Sequence, residues 1–248
     1  MSSSRLTNGG EASAKCGRLR SLNAWVFDLD NTLYPSTIGL FRQMDERMRA
    51  YIADFLGIDE AAAFALQKEY FRAYGTSLRG LMTHHQLDPA PFLDHVHQID
   101  LSILVADDAL NEALAHLPGR KFIYTNASVR HAERVLDRLG IAHHFDDIFD
   151  IVAADYRPKP VAEAYRAMVA RFGLDPRAAA MVEDLAVNLL PAAALGMTTV
   201  WIRNQADHGP LGADGDHVHH VVDDLAVWLR DISATANDRE TVSMRSAD

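Results

Sequence analysis

The sequence predicts an α/β fold: a doubly wound, mainly parallel sheet with an all-helical segment inserted after the first strand. Two observations carry the prediction. Short apolar runs alternate with stretches of helical periodicity, the pattern of βαβ units. That alternation fails from about residue 36 to 106, where helix follows helix and no convincing strand intervenes.

The apolar runs fall at 24–28 (AWVFD), 121–125 (KFIYT), 148–153 (IFDIVA), 180–184 (AMVED) and 198–202 (TTVWI), with a weaker one at 218–222 (VHHVV). Each is short and rich in β-branched or aromatic residues, as strands covered on both faces are. Between them, Val129, Ala132, Val135, Leu136 and Leu139 recur at spacings of three and four and share one helix face. Asp175-Pro176 reads as an N-cap with Pro at the first helical position, and Gly57, Gly140, Gly173 and Gly196 read as C-terminal caps. In the inserted segment, Phe41, Met44, Met48, Tyr51, Ile52 and Phe55 form one amphipathic face; Leu66, Tyr70 and Phe71 mark a second helix, and Phe92, Leu93, Val96 and Ile99 another. The expected organisation is a disordered leader at 1–20, a core from 21–35 and 107–232, a helical cap at 36–106, and a disordered tail at 233–248.

Composition narrows the function classes. With 48% hydrophobic and 23% charged residues, the chain has the usage of a soluble globular protein. No apolar run is long enough to span a bilayer, and the N-terminus lacks the apolar stretch of a secretory signal. Arg5, Lys15, Arg18 and Arg20 against Glu11 give the leader only a weak likeness to a transit peptide. The single cysteine, Cys16, rules out an intramolecular disulfide, so a cytoplasmic location is expected. A formal charge of -10 argues against nucleic-acid polymers and anionic membranes as partners. It leaves room for a small anionic substrate, because a metal and a few cations can reverse the field within one cleft. The oligomeric state is left open.

The candidate chemistry lies at the ends of the strand runs. In open α/β sheets, ligands bind beyond the carboxyl ends of the strands. The first run ends in Asp28-Leu29-Asp30-Asn31-Thr32, two aspartates at i and i+2 that can point to one side. The second ends in Tyr124-Thr125-Asn126, a hydroxyl followed by freed backbone N–H groups, which suits a phosphate. Lys159 stands between two prolines in Arg157-Pro158-Lys159-Pro160, which stiffen the backbone on both sides. The fourth ends in Glu183-Asp184, hard oxygen ligands suited to Mg²⁺, with Asn188 four residues after Asp184. Taken singly, each has a bland alternative: an Asx turn, a capping loop, a surface lysine, acids at a helix start. Their joint placement at four strand ends raises the signal. So does charge accounting, since four carboxylates cannot all stay ionised beside a phosphate unless a cation such as Mg²⁺, together with Lys159, compensates.

These four segments, in this order, resemble the four motifs of the haloacid-dehalogenase-like (HAD) phosphatases, and the likeness spans roughly residues 23–205. The resemblance implies a Rossmann-like core with a mobile helical cap and a Mg²⁺-dependent phosphomonoester hydrolase. It implies Asp28 as nucleophile forming an aspartyl-phosphate, Asp30 as general acid/base, and Thr125, Asn126 and Lys159 around the phosphoryl group. It implies Mg²⁺ held by Asp28, Asp184 and the backbone carbonyl of Asp30, with Glu183 a direct ligand or a group behind the ligands. Asn188 stands where many members carry an acid, so its part as orienter of Lys159 or of water is less defined.

A finer likeness joins FDLDNTLYP, the cap segment Gly75-Thr76-Ser77-Leu78-Arg79-Gly80-Leu81 and Asp155-Tyr156-Arg157-Pro158-Lys159-Pro160 to the pyrimidine 5′-nucleotidase branch. It implies a nucleoside 5′-monophosphate substrate, with Thr76 and Arg79 in a Gly-flanked turn reaching it. The alternatives are a phosphatase for pyridoxal phosphate, a sugar phosphate or phosphoglycolate, a phosphosugar mutase, and a catalytically silent binding protein. Asp30, an acid two residues after the nucleophile, argues against a dehalogenase. The pairs His84-His85 and His143-His144, and the group His217, His219 and His220, match no metal-ligand spacing. Trp25, Trp201 and Trp228 lie in apolar runs and are expected in the core.

Overall fold

The computed structural model describes residues 19–203 and 209–233. Cys16, residues 1–18 of the expected leader and residues 234–248 of the expected tail lie outside them. The last two leader positions belong to the fold: Leu19 is buried, and Arg20 Nε donates to the Ile232 carbonyl at 3.0 Å.

Strands β1 (Ala24–Phe27), β2 (Arg120–Tyr124), β3 (Asp147–Phe149), β4 (Ala179–Glu183), β5 (Thr198–Ile202) and β6 (His220–Val222) form one sheet in the order β3-β2-β1-β4-β5-β6. Every neighbouring pair is parallel. Helices α1 (Leu40–Leu56), α2 (Glu60–Tyr74), α3 (Ser77–His85) and α4 (Pro89–Val96) follow β1 and make the expected insertion. The sheet helices are α5 (Asp108–His116), α6 (Val129–Leu139), α7 (Ala162–Phe172) and α8 (Leu189–Ala194), and residues 225–233 are also helical. No helix among the described residues is long and apolar enough to cross a membrane.

Both sheet faces are covered, which is why the strands read as apolar runs rather than as alternating ones. Successive residues feed opposite faces. Trp25, Phe27, Ile123, Val182 and Val200 join one apolar cluster with α5, α6 and residues 225–232; Leu40, Ile52, Tyr70 and Leu81 of the insertion continue that cluster. Ala24, Val26, Phe122, Tyr124 and Met181 join the other, beneath α7 and α8. Trp25 and Trp201 are core residues, and Trp228 packs its edge on Trp25 with ring centroids 6.1 Å apart.

Some expectations shift. The run 148–153 is strand only to Phe149, because Asp150 turns the chain. Its carboxylate accepts from Val129 N at 2.9 Å and Ala153 N at 2.8 Å, replacing ladder bonds with side-chain bonds. Asp175 caps a short 3₁₀ turn, Pro176–Ala178, rather than an α-helix. Gly57, Gly140 and Gly173 close α1, α6 and α7, whereas α8 is capped by Leu195 with Gly196 next. Phe41 and Phe55 of α1 stay exposed, while Leu40, Met44 and Ile52 carry its buried stripe. On α6, Val129 is exposed and His131 takes a place on the buried face.

Candidate active site

The order of the strands puts β1 between β2 and β4, so the chain winds outward from it in both directions. Phe27 is in register with Ile123 of β2 and Val182 of β4. The residues just beyond therefore converge: Asp28 meets Tyr124-Thr125 on one side and Glu183-Asp184 on the other. Asp28 N still donates to the Val182 carbonyl at 2.9 Å, so its backbone is fixed to the sheet while its side chain leaves it.

Lys159 is the hub. Its ammonium is buried and donates to Asp28 Oδ1 at 2.5 Å, Glu183 Oε1 at 2.7 Å and the Tyr124 carbonyl at 3.1 Å. An ammonium has three protons, and all three are spent. The backbone is pinned as well, because Lys159 N donates to Asn126 Oδ1 at 2.9 Å. The Asn126 side chain thus holds the lysine loop. Thr125 Oγ1 accepts from Ala127 N at 3.0 Å, which leaves the hydroxyl proton free to donate.

Glu183 is fully engaged. Oε1 accepts from Lys159 and from Asn188 Nδ2, both at 2.7 Å, and Oε2 accepts from Leu185 N at 2.6 Å. Asn188 therefore acts on Lys159 through Glu183. Tyr165 OH ties down the Asn188 carbonyl at 2.5 Å, and Trp201 Nε1 the Asp184 carbonyl at 2.9 Å. Asp28, Glu183 and Asp184 each bring a carboxylate oxygen within 4.8 Å of the others. Three buried acids face one lysine, and the electrostatics register the surplus. Burial pushes Asp28 up to about 7, with Lys159 opposing and Glu183 adding to the rise. Burial, then Glu183 and Asp28, push Asp184 well above the usual carboxylate range. Burial works against the Lys159 charge, but Asp28 and Glu183 outweigh it and hold the ammonium protonated. A hard divalent cation is the compensation this donor set fits.

Asp30 stands apart from the lysine. Its Oδ1 accepts from Tyr34 OH at 2.5 Å and lies 2.9 Å from His131 Nε2. The His131 ring is fully buried and stacks on His97, centroids 4.5 Å apart and planes 21° from parallel. Burial pushes the Asp30 carboxyl up, but His131 and the Tyr34 hydroxyl outweigh it and the net direction is down. Burial and His131 hold His97 down at about 3, a neutral ring. Tyr34 and His131, with His97 stacked behind, surround Asp30, and residue patterning missed all three. The available signal was His131 interrupting an apolar helix face directly after the Thr125-Asn126 turn.

The cap residues are arranged differently from expectation. Only Gly75 and Thr76 form the turn. Ser77–Leu81 already lie in α3, where Gly80 faces the Tyr70 ring. Thr76 is the N-cap, its Oγ1 accepting from Arg79 N at 3.2 Å, and Arg79 sits half-buried in the first helical turn. Gly75, at φ +81°, lies directly on the lysine loop: a Cβ there would come 3.0 Å from the Lys159 carbonyl oxygen. The turn thus reaches the site, although Thr76 spends its oxygen on capping. Among the described residues the discounted histidines form no metal cluster; His84 and His85 pair with Tyr74 and Tyr70, and His217 with the Ala186 carbonyl.

Comparison with known proteins gives this geometry its family. Phosphate metabolism protein 8 of Saccharomyces cerevisiae is 30% identical over 153 residues, which are 57% of this chain and 46% of the yeast protein. The match thus spans about half the length of that relative. Three solved structures share the fold. A HAD phosphatase from Thermococcus onnurineus superposes with TM-score 0.57 at 19% identity, over 85% of this chain and 97% of its own. L-2-haloacid dehalogenase from Xanthobacter autotrophicus gives 0.54 at 17%, over 84% and 97%. The HAD-hydrolase YfnB from Bacillus subtilis, bound to magnesium, gives 0.53 at 14%, over 85% and 98%. Residues 22–196, which hold β1 through β4, the whole insertion and the carboxylates, Thr125, Asn126, Lys159 and Asn188 of the site, match the haloacid dehalogenase-like hydrolases, and the chain belongs to that family.

Proposed function

We propose that this protein is a Mg²⁺-dependent phosphomonoester hydrolase working through a phosphoaspartate on Asp28, with a pyrimidine nucleoside 5′-monophosphate as its substrate. The observation that carries the reading is the pairing of two differently held carboxyls. Asp28 is bound to the buried Lys159, while Asp30, two residues on, is held away from it by Tyr34 and His131. One is equipped to attack and the other to move protons, and a carboxyl acid at position 30 serves an alkoxide leaving group, which a halide does not need. The name of the yeast relative, a phosphate metabolism protein, agrees with a phosphate ester.

The steps follow from the chain's own groups. Asp28 attacks phosphorus, the P–O bond to the ester oxygen breaks, and Asp30 gives that oxygen its proton. Asp30 then takes a proton from water, which attacks the phosphoaspartate and releases phosphate while the Asp28 carboxylate is restored. The Thr125 hydroxyl donates to a phosphoryl oxygen. Lys159 exchanges its Asp28 bond for one to the same group, held in place by Glu183 and Asn126. Asp28, Asp184 and the Asp30 carbonyl would hold Mg²⁺, with Glu183 orienting Lys159 from behind. Bound there, the ion supplies charge neutralisation for the phosphoryl oxygens.

Asp28, Asp30, Thr125 and Lys159 act on the phosphoryl group and the ester oxygen, which all phosphate monoesters share. Choice of substrate falls to the insertion, whose Gly75 abuts the lysine loop and whose next helix, opened by Thr76, carries Arg79 in its first turn. The test is kcat/KM with Mg²⁺ over pyrimidine nucleotides, purine nucleotides, pyridoxal phosphate, sugar phosphates and phosphoglycolate. Uridine and cytidine monophosphates are expected to lead, and Arg79→Ala to reduce their lead over the purine nucleotides. A sugar phosphate or phosphoglycolate ahead by about tenfold rejects the nucleotidase assignment and keeps the phosphatase.

A further inference from the structure

The two bonds that hold Asp30 end on the same oxygen. Tyr34 OH donates to Oδ1 at 2.5 Å, and His131 Nε2 meets Oδ1 at 2.9 Å. A carboxyl with one oxygen saturated by two donors keeps that oxygen as its carbonyl when it is protonated, and the proton goes to the other. Both bonds survive in either protonation state, so the group need not turn between donating a proton and accepting one.

His131 suits this duty. It is fully buried on α6, and among the described residues its Nδ1 meets no hydrogen-bond partner. A hydrogen on Nε2 points at Asp30 Oδ1, the hydrogen-bond partner the ring has among the described residues. The ring plane is fixed from the other side by His97, which stacks on it and is itself anchored: Nδ1 of His97 lies 3.0 Å from Ser128 Oγ, and Arg134 donates to the His97 carbonyl at 2.8 Å. His97 caps α4, the last helix of the insertion, so the stack joins cap and core at the acid.

We infer that His131, with its ring braced by His97, is a positioning residue that locks Asp30 Oδ1 and thereby assigns proton transfer to Oδ2. The inference rests on Asp30 being the general acid/base of a phosphatase. Loss of the lock costs most where the leaving oxygen needs a proton, as an alkoxide does, and least where it does not, as with 4-nitrophenolate.

The experiment compares wild type, His131→Leu and His131→Gln on 4-nitrophenyl phosphate and on the best primary-alkyl phosphate of the panel above. His131→Leu removes the donor at similar volume, and Gln restores an N–H of similar reach. For His131→Leu, kcat/KM on the alkyl ester is expected to fall about 10²-fold, the cost of a misplaced catalytic group. The fall on the nitrophenyl ester is expected to be smaller by about tenfold or more, since that step draws little on the acid. His131→Gln should recover most of the alkyl activity. Equal losses on both esters, or no recovery with Gln, would overturn the inference and leave the hydrolase intact. If His131→Leu does not fold, His131→Asn replaces it, too short to reach Asp30, and the same split against Gln decides. Absence of wild-type turnover on every ester overturns the hydrolase and this inference together.

Discussion

Asp28→Asn should change how the metal-free protein's stability depends on pH, by an amount that the site's charge surplus sets. An ordinary aspartate ionises at 3.8, and in the fold Asp28 keeps its proton up to about 7, chiefly through burial. Between those values the folded protein binds more protons than the unfolded chain, so stability must fall as pH rises through the window. It is retained in full below 3.8 and has lost this contribution above 7. The window spans a little over three pH units, each about 1.4 kcal/mol, so wild type should lose about 4 kcal/mol more than Asp28→Asn between pH 4 and pH 8. Relief of Asp184, which Asp28 also pushes up, adds in the same direction. Urea unfolding in EDTA at several pH values, wild type beside Asp28→Asn, measures the difference directly. Mg²⁺ at pH 8 should restore wild type far more than the variant, because it replaces the missing positive charge. Parallel pH profiles for the two proteins, with no selective effect of Mg²⁺, would refute the view that this cluster is short of a cation.

Three other outcomes are expected. Asp28→Asn should remain folded and lose turnover, since an amide forms no acyl phosphate, and Asp30→Asn should lose ~10²–10⁴-fold in kcat as an absent acid and base does; a folded Asp28→Asn enzyme turning over at the wild-type rate contradicts the mechanism. EDTA should abolish activity, Mg²⁺ restore it and Ca²⁺ inhibit, its looser coordination spoiling alignment; titration should show Asp184→Ala raising the half-saturating Mg²⁺ concentration more than Asn188→Ala, and full activity without any bound ion argues against a metal. Gly75→Ala and Gly57→Ala both force a left-handed alanine, at about 1–2 kcal/mol each. Gly57 has open space around it whereas Gly75 abuts the Lys159 carbonyl, so melting temperatures should fall in both and kcat/KM only in Gly75→Ala.

Some parts of the molecule are visible in the residues and others only in space. Strands β1, β4 and β5 stand out because both their faces are covered, and an unbroken apolar run has few other uses. The run through β3 misleads for a related reason: Ile151 is as buried as a strand residue but belongs to the turn that Asp150 builds. Asp28 and Asp184 announce themselves because charges directly after apolar strands are costly without a purpose, whereas Lys159, ten residues past β3, gains its signal only from its flanking prolines and its place among the other segments. His131 does not, since hydrophobic periodicity scores a histidine on a helix face as a gap, and its partner Asp30 is 101 positions away. The same holds for Thr76 and Asn126. Their residue types suggest ligand contacts, but whether a hydroxyl or amide oxygen is already spent on a helix cap or a neighbouring loop is decided by geometry alone.

The central place of β1 has a consequence for how the chain assembles. This strand is made first, yet its neighbours are Arg120–Tyr124 and Ala179–Glu183, so its two edges must wait for segments far along the chain. Joining Ala24 to Arg120 closes a loop of nearly a hundred residues, a length-dependent entropy of about 4 kcal/mol, against about 2.5 kcal/mol for joining Ala180 to Thr198 between β4 and β5. On loop closure alone, the C-terminal half of the sheet is the cheaper part to assemble first, with β1 joining once β2 and β4 are in place. During synthesis the apolar stretch Ala24–Phe27 emerges before its strand partners and stays unpaired while the insertion is translated, the exposure that chaperones cover.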